Sequence, residues 1–307
     1  VTCKAVKQSE RGIALLVVLW VMVLLAVVLG GFAVLARSED LQTRHLFDSA
    51  RARYAAEAGL ARAVYELRRT DPNARWVADG RPYEIEFDGA RVEVTVVDES
   101  GKVDINAADE QTLLRLLQGL GAGGGENPDP DRPQRLVDAM MDWRDGDDLV
   151  RPMGAEDADY EAAGYAYGAS DIGFTTIEEL QQVMGMDYEL FRKLEPVITV
   201  YSRSNRPNAV YAPESVLATL PGMTPDIAAG IIAQRMALPP DQLAVAPIQL
   251  PDGAPLVGGG GGVTYTVRAR ATLPNGAWTL LETIIRPGGA PAGRAYSILR
   301  WRTGKFQ

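Results

Sequence analysis

Between Asp142 and Asp159 the chain places seven acids within 18 residues: Asp142, Asp145, Asp147, Asp148, Glu156, Asp157 and Asp159. Carboxylates so close repel one another unless water or a cation lies between them. Clustered oxygens suit calcium, which takes about six to eight oxygen ligands at about 2.3–2.6 Å. Gly146 and Gly154 would let the backbone turn tightly enough to bring such oxygens together. Asp142 and Asp145 share a face if a helix runs through "DAMMDWRD". The spacing is not that of an EF-hand, so the residues alone leave two readings open, a cation site or a hydrated acidic loop. Paired carboxylates can also perform hydrolysis, but nothing here singles out a pair, and no G-x-S-x-G motif is present. Cys3 and His45 are the only residues of their kinds. An internal disulfide and a His/Cys zinc site are thereby excluded, and thiol or Ser-His-Asp catalysis is disfavoured. No enzymatic role is expected.

The elements that must carry this segment begin with an apolar run. Ile13 through Ala36 holds no charge, and a helix of that length spans roughly 36 Å, enough for a bilayer core of about 30 Å. It is too long for a secretory h-region of about 7–15 residues. Lys4, Lys7 and Arg11 precede it and place that end in the cytoplasm. Beyond it, Ser38 to Arg69 lacks proline and is rich in Ala, Leu, Arg and Glu. One continuous helix is expected from Ile13 to Arg69, ended by Asp71-Pro72, with Tyr54, Ala58, Ala61 and Tyr65 as the face that meets a soluble domain. The net charge is −9 despite the basic start. An acidic body does not suit phosphate-backbone binding, so no nucleic acid is expected.

Two patches read as antiparallel strands: Tyr83 to Glu99 with Asp88-Gly89 as its turn, and Thr264 to Pro287 with Asn275-Gly276. A last strand is expected over Ala295 to Trp301. Together they make an α+β core, a long helix on a small antiparallel sheet, interrupted by a large all-helical insertion. In the insertion, "GKVDINAADEQTLLRLLQGLG" starts a helix capped by Asn106 or Asp109, with Leu113, Leu114, Leu116 and Leu117 inward. "APESVLATLPGMTPDIAAGIIAQR" has a helix–tight turn–helix pattern, and both segments look like helix-hairpin-helix units. Gly258 to Gly262 reads as a flexible connection back to the sheet.

A basic leader ending in Gly12, an apolar helix starting at once with Ile13 and an amphipathic second half resemble type IV pilins and type II secretion pseudopilins. The opening "RGIALLVVLW", and the order helix, strands, helical insertion, strands, resemble the general secretion pathway protein K family, whose insertion holds helix-hairpin-helix or SAM-like units. The resemblance implies cleavage by a prepilin peptidase between Gly12 and Ile13, followed by N-methylation. Most pilin-like subunits carry Glu at the fifth mature position, where this chain has Val17. A buried Glu there would neutralise the amine of the subunit above. A subunit at the filament tip has none above it, and an unpaired buried carboxylate only costs free energy.

"DWRDGDD" and "GAEDADY" resemble the family's acidic pair, which implies structural calcium on Asp145, Asp147, Glu156 and Asp157, with Asp142 and Asp159 as further ligands. The implied organisation is a leader over 1–12, a helix over 13–70 crossing the membrane at 13–36, a sheet core from 71–99 and 263–307, a first helical insertion over 100–202, and a second unit with its linker over 203–257. The implied function is that of a minor pseudopilin at the pseudopilus tip, which initiates or caps assembly for protein export. Its partners would be other minor pseudopilins, the major pseudopilin along the helix, and the peptidase. It would sit in the bacterial inner membrane as a single-pass protein, N-terminus cytoplasmic and C-terminal domain periplasmic. The competing reading is a membrane-anchored helix-hairpin-helix DNA receptor of the competence type, although Arg235 is the sole base near its second hairpin.

Overall fold

The computed structural model describes residues 11–71, 75–124, 128–239, 248–251, 253, 262–288 and 295–304. Most of the expected leader, Pro72, and the glycine run up to Gly261 lie outside the described residues. A single helix, α1, spans Arg11–Leu67, 57 residues without a break. Its apolar half stands clear of the rest of the chain, with a mean hydropathy of 3.2 over its most apolar 18-residue window and none of that window buried. This is one helix long and apolar enough to cross a membrane.

The second half of α1 lies on a five-stranded antiparallel sheet. Its strands are β1 (Asp79–Phe87), β2 (Ala90–Asp98), β5 (Tyr265–Thr272), β6 (Trp278–Pro287) and β7 (Tyr296–Gly304), in the order β1-β2-β5-β6-β7. Asp88 and Gly89 both take positive φ, 49° and 74°, as a two-residue hairpin whose twist matches its strands requires. Alternation sends Val92, Val94, Val96, Val267, Ala269 and Ala271 toward α1, and all six are buried.

The helix face that meets them is not the expected one. Tyr54 and Tyr65 are 65% and 59% exposed, and Ala61 is exposed too; Ala52, Ala55, Ala56, Leu60, Ala63 and Val64 are buried instead. The reason is distance. A Cβ on Gly59 would stand 2.8 Å from Val92 Cγ1, 3.0 Å from Val94 Cγ2 and 3.1 Å from Ala269 Cβ. A helix that close to a sheet admits only small side chains along its line of contact, and the tyrosines turn away.

Between β2 and β5 the chain leaves the sheet and builds a second, helical body. Its helices are α2 (Glu110–Gly119), α3 (Arg132–Arg144), α4 (Asp157–Ala162), α5 (Tyr188–Leu194), α6 (Glu214–Leu217) and α7 (Pro225–Ala237). The first and last strand-like segments here, β3 (Val103–Asp104) and β4 (Ile198–Thr199), pair in parallel. Asp109 caps α2 through Thr112 N at 2.7 Å, and Thr224 caps α7 through Ile227 N at 3.3 Å. Leu113, Leu116 and Leu117 are buried as expected, while Leu114 is only half-buried. They share one apolar cluster with Leu136, Met140, Val216, Leu217, Ala228 and Ile231, so α6 and α7 pack into the same core as α2 and α3.

Replacing Gly59 by Val should cost about 2–3 kcal/mol, because the branched side chain would overpack the helix–sheet seat. Gly230, mid-helix in α7 with nothing near its added Cβ, should instead gain up to about 1 kcal/mol on replacement by Ala. Thermal or denaturant unfolding of the two variants checks both signs.

Candidate metal centre

The acidic segment is organised from α3. Asp138 and Asp142, four residues apart on its buried face, reach the following loop: Asp138 Oδ2 accepts from Met153 N at 3.1 Å and Asp142 Oδ2 from Arg151 N at 3.2 Å. The helix stops at Arg144, and Asp145 is its extended C-cap residue. Beneath the segment, Trp143 stacks near Phe174 and tilts against Tyr160, whose hydroxyl accepts from Met184 N at 2.9 Å. That packing ties the acidic loop to the helical core.

Glycine decides how closely the carboxylates can sit. A Cβ on Gly154 would lie 1.8 Å from Asp142 Oδ2, and one on Gly168 would lie 1.7 Å from Asp157 Oδ1. Gly146 is different: its added Cβ would meet only the Asp171 carbonyl, at an ordinary 3.6 Å.

The electrostatics are unbalanced. Asp142 Oδ1, Asp145 Oδ1 and Glu156 Oε1 are buried and have no hydrogen-bond partner. Arg151 Nε lies 3.4 Å from Asp142 Oδ1, an ion pair without hydrogen-bond geometry. Burial pushes the Asp142 carboxyl above its usual range. Burial, and then the charges of Asp142, Asp145, Asp171 and Asp148, push Glu156 up to about 7. Asp171 is raised as well, by desolvation and then by Asp157, Asp148 and Asp145. These acids therefore feel one another across the loop.

Of the residues singled out from sequence, Asp142, Asp145 and Glu156 supply the unpartnered oxygens and Asp157 is the exposed acid seated on Gly168. Two others serve the local backbone. Asp147 Oδ1 accepts from Leu149 N at 3.0 Å, and Asp159 Oδ2 accepts from Glu156 N at 3.1 Å at the start of α4. Asp171 was not singled out; it holds a positive φ of 52°, and only its place in space joins it to the others. Asp148, within the acidic run, acts on Glu156 and Asp171 through its charge. Among the described residues no three acids are already gathered at metal-ligand spacing. The all-oxygen donor set, with three buried oxygens that accept no hydrogen bond, nonetheless fits a hard divalent cation, which would balance their charge.

At the other end of the chain, Ile13 and Val17 lie in the first turns of α1 with exposed side chains, and Gly12 is helical.

A long helix whose free apolar half runs into a half seated on an antiparallel sheet is the pilin-like class of architecture, here with a helical body inserted between two neighbouring strands. Residues 90–203 match the model described as "Type II secretion system (T2SS), protein K". The chain is 27% identical over 212 residues to type II secretion system protein K of Klebsiella pneumoniae, covering 62% of this chain and 63% of that one. It is 25% identical over 215 residues to the protein K of Pectobacterium carotovorum subsp. carotovorum, with the same coverage. The matched regions thus span just under two thirds of the length of these curated relatives. Among solved structures, a chain of the GspK-GspI-GspJ complex from the enterotoxigenic Escherichia coli type 2 secretion system superposes with a TM-score of 0.54 at 20% identity, covering 88% of this chain and 99% of that one. These matches bear out the resemblance to protein K of type II secretion systems, with the family match lying on residues 90–203.

Gly154→Ala and Gly168→Ala should each destabilise the helical body by about 1–3 kcal/mol by displacing a carboxylate, while Gly146→Ala should leave its melting temperature unchanged. Thermal unfolding followed by near-ultraviolet circular dichroism checks this, since Trp143 and Tyr160 report on the loop.

Proposed function

We propose that the chain is a minor pseudopilin at the tip of a type II secretion pseudopilus, where it initiates or caps assembly for export of folded proteins. The observation that carries this reading is the architecture: a free apolar helix continuous with a pilin-like core, and a bulky helical body between β2 and β5 of that core. The body would obstruct any subunit added above it. The protein K match over residues 90–203 falls mostly on that body.

In this reading α1 anchors the chain in the inner membrane as a single pass, with the N-terminus cytoplasmic and the body periplasmic. The apolar half packs on the helices of other minor pseudopilins and the major pseudopilin. The presence of GspI and GspJ beside GspK in the similar solved complex supports partners of that kind. A prepilin peptidase cleaves between Gly12 and Ile13, and the new amine is methylated. Val17 leaves the tip subunit without a buried carboxylate that no neighbour could neutralise.

The acidic segment holds structural calcium. Asp142, Asp145 and Glu156, with the orphaned oxygens, and Asp157 are the residues that would hold it, and Asp171 and Asp148 bear on the same centre. The ion would neutralise buried charge and fasten a loop that no disulfide can close. Asp147 and Asp159 would contribute through the turns they stabilise or as further ligands. The α2–α3 and α6–α7 pairs would be the helix-hairpin-helix-like units of the insertion.

The DNA-receptor alternative has no support in the charge distribution. Arg235, the base beside the α6–α7 turn, is buried, and its Nη1 donates to the carbonyls of Val210 at 2.7 Å and Ala212 at 3.0 Å. Its guanidinium is a strut inside the fold and cannot reach a phosphate.

Two measurements test the reading. Gly12→Val should abolish leader removal by prepilin peptidase, seen as retention of the slower-migrating form on gels; normal processing would overturn the peptidase assignment. Chelation should lower the melting temperature of the full chain in detergent, by about 2–4 °C for each kcal/mol lost if the body between β2 and β5, about 160 residues, unfolds as one unit. Added calcium should restore it in the parent but not in Asp145→Asn/Glu156→Gln. Identical melting with and without chelator would remove the metal.

A further inference from the structure

The five-stranded sheet ends in two edge strands, β1 and β7, and they differ in how they meet solvent. An edge strand offers unpaired N–H and C=O groups, which charges, proline and irregular register normally protect from other chains. β1 has all three. Pro82, Glu84 and Glu86 are exposed along it, and its register to β2 shifts between Asp79 and Pro82. Its one exposed large apolar side chain, Phe87, stands at the hairpin.

β7 is built otherwise. Ile298 and Trp301 are 51% and 37% exposed, and Leu299 is exposed as well. The basic residues Arg300 and Arg302 do not guard the edge, because they pair with Glu178 and Glu195 of the helical body. Across the ladder Ile298 lies opposite Ile285, Trp301 opposite Thr283 and Thr303 opposite Leu281. Those three β6 residues are buried, and Leu281 and Ile285 belong to the core beneath α1. Ile298 and Trp301 thus stand on the α1 side of the sheet. The helix lies over β2, β5 and β6, and both side chains beyond it stay exposed. At the head of β7 a cavity of about 610 Å³ opens between Ala295 and the α1 residues Ala61, Val64 and Tyr65.

The backbone shows which groups face outward. The Arg300 carbonyl turns toward β6, where it accepts from Thr283 Oγ1 at 2.8 Å. Successive residues of a strand turn their N–H and C=O groups to opposite sides, so Trp301 and Thr303 turn theirs away from β6. Leu299 is the extra residue of a bulge, since Ile284 pairs with Arg300 and Ile285 with Ile298. From Arg300 to Gly304 the ladder is regular, and among the described residues no strand pairs with its outer side.

We propose that β7 accepts an extended segment of a partner protein as a sixth strand, bonded to the main chain of Trp301 and Thr303. Main-chain donors and acceptors at strand spacing are matched by another extended backbone. Ile298, Trp301 and the space beside α1 call for apolar side chains at every second position of that segment. The proposal does not depend on calcium, on leader processing or on the tip position.

The test uses a labelled peptide of about ten residues, alternating Thr and Val between terminal lysines. It is titrated against the full chain in detergent at physiological salt, where surface charge is screened, and followed by fluorescence anisotropy. Saturable binding is expected, with slowed hydrogen exchange in β7. Binding should weaken about tenfold in Thr303→Pro, which removes one outward N–H and leaves the β6 ladder intact. Trp301→Lys, which puts a charge on the edge, should weaken it similarly and serves if the proline variant lowers the melting temperature. Phe87→Lys on the opposite edge should leave it unchanged. Absence of saturable binding, undiminished affinity in both β7 variants, or an equal loss in Phe87→Lys would each overturn the proposal. Equal affinity for a peptide with two adjacent central prolines would do the same. So would a dimer of the chain that Trp301→Lys dissolves, since a second copy would then occupy β7.

Discussion

The close seat of α1 on the sheet is the contact on which everything else rests. Gly59, with Ala52, Ala55, Ala56 and Ala63 along the same line, lets the helix approach until Val92, Val94 and Ala269 touch its backbone surface. The seat couples the apolar half of the same unbroken helix to the folded body, so that whatever holds the first half in place also orients the second. Ion pairs at its rim, such as Arg62 and Arg69 around the buried Glu66, then close the C-terminal end of α1.

The second constraint is how a helical body can be inserted without unravelling that sheet. β2 and β5 are hydrogen-bonded neighbours, with Asp98 opposite Tyr265 in the register. The chain therefore leaves and returns at one place. Asp98 fastens it there, accepting from Ser100 N at 2.8 Å and Gly262 N at 2.7 Å. Gly101 lets the strand exit lie against the Tyr211 backbone, where a Cβ would stand 2.4 Å from its carbonyl carbon. On the far side Glu195 and Glu178 of the body meet Arg302 and Arg300 of β7. The body is thus clamped at its root and at the opposite sheet edge.

Charge is divided between these parts. The acids with orphaned oxygens gather where α3 ends, whereas Arg300 and Arg302 of β7 pair with Glu178 and Glu195 of the body.

Much of this was legible in the residues. The uncharged run from Ile13 and the proline-free stretch after it determined one long helix. Asp88-Gly89 and the alternation around it determined the hairpin, because local backbone preference and period-two burial act within a few residues. The acidic run likewise announced itself by density. What the sequence could not decide were the questions set by distance between remote segments. Tyr54 and Tyr65 have helical spacing suited to a buried face, yet Gly59 and its alanines win because the sheet lies too close for a ring. The clustering of acids did not say which oxygens stay unpartnered. Asp147 and Asp159 bond to nearby backbone, whereas Asp171 enters from a later loop. Arg235 read as a base beside a hairpin and became a buried strut, since only the folded chain brings the Val210 and Ala212 carbonyls to it. Periodicity and composition are local properties and fix the elements. Which face is buried, and which charge is left without a partner, depends on how closely those elements approach in space.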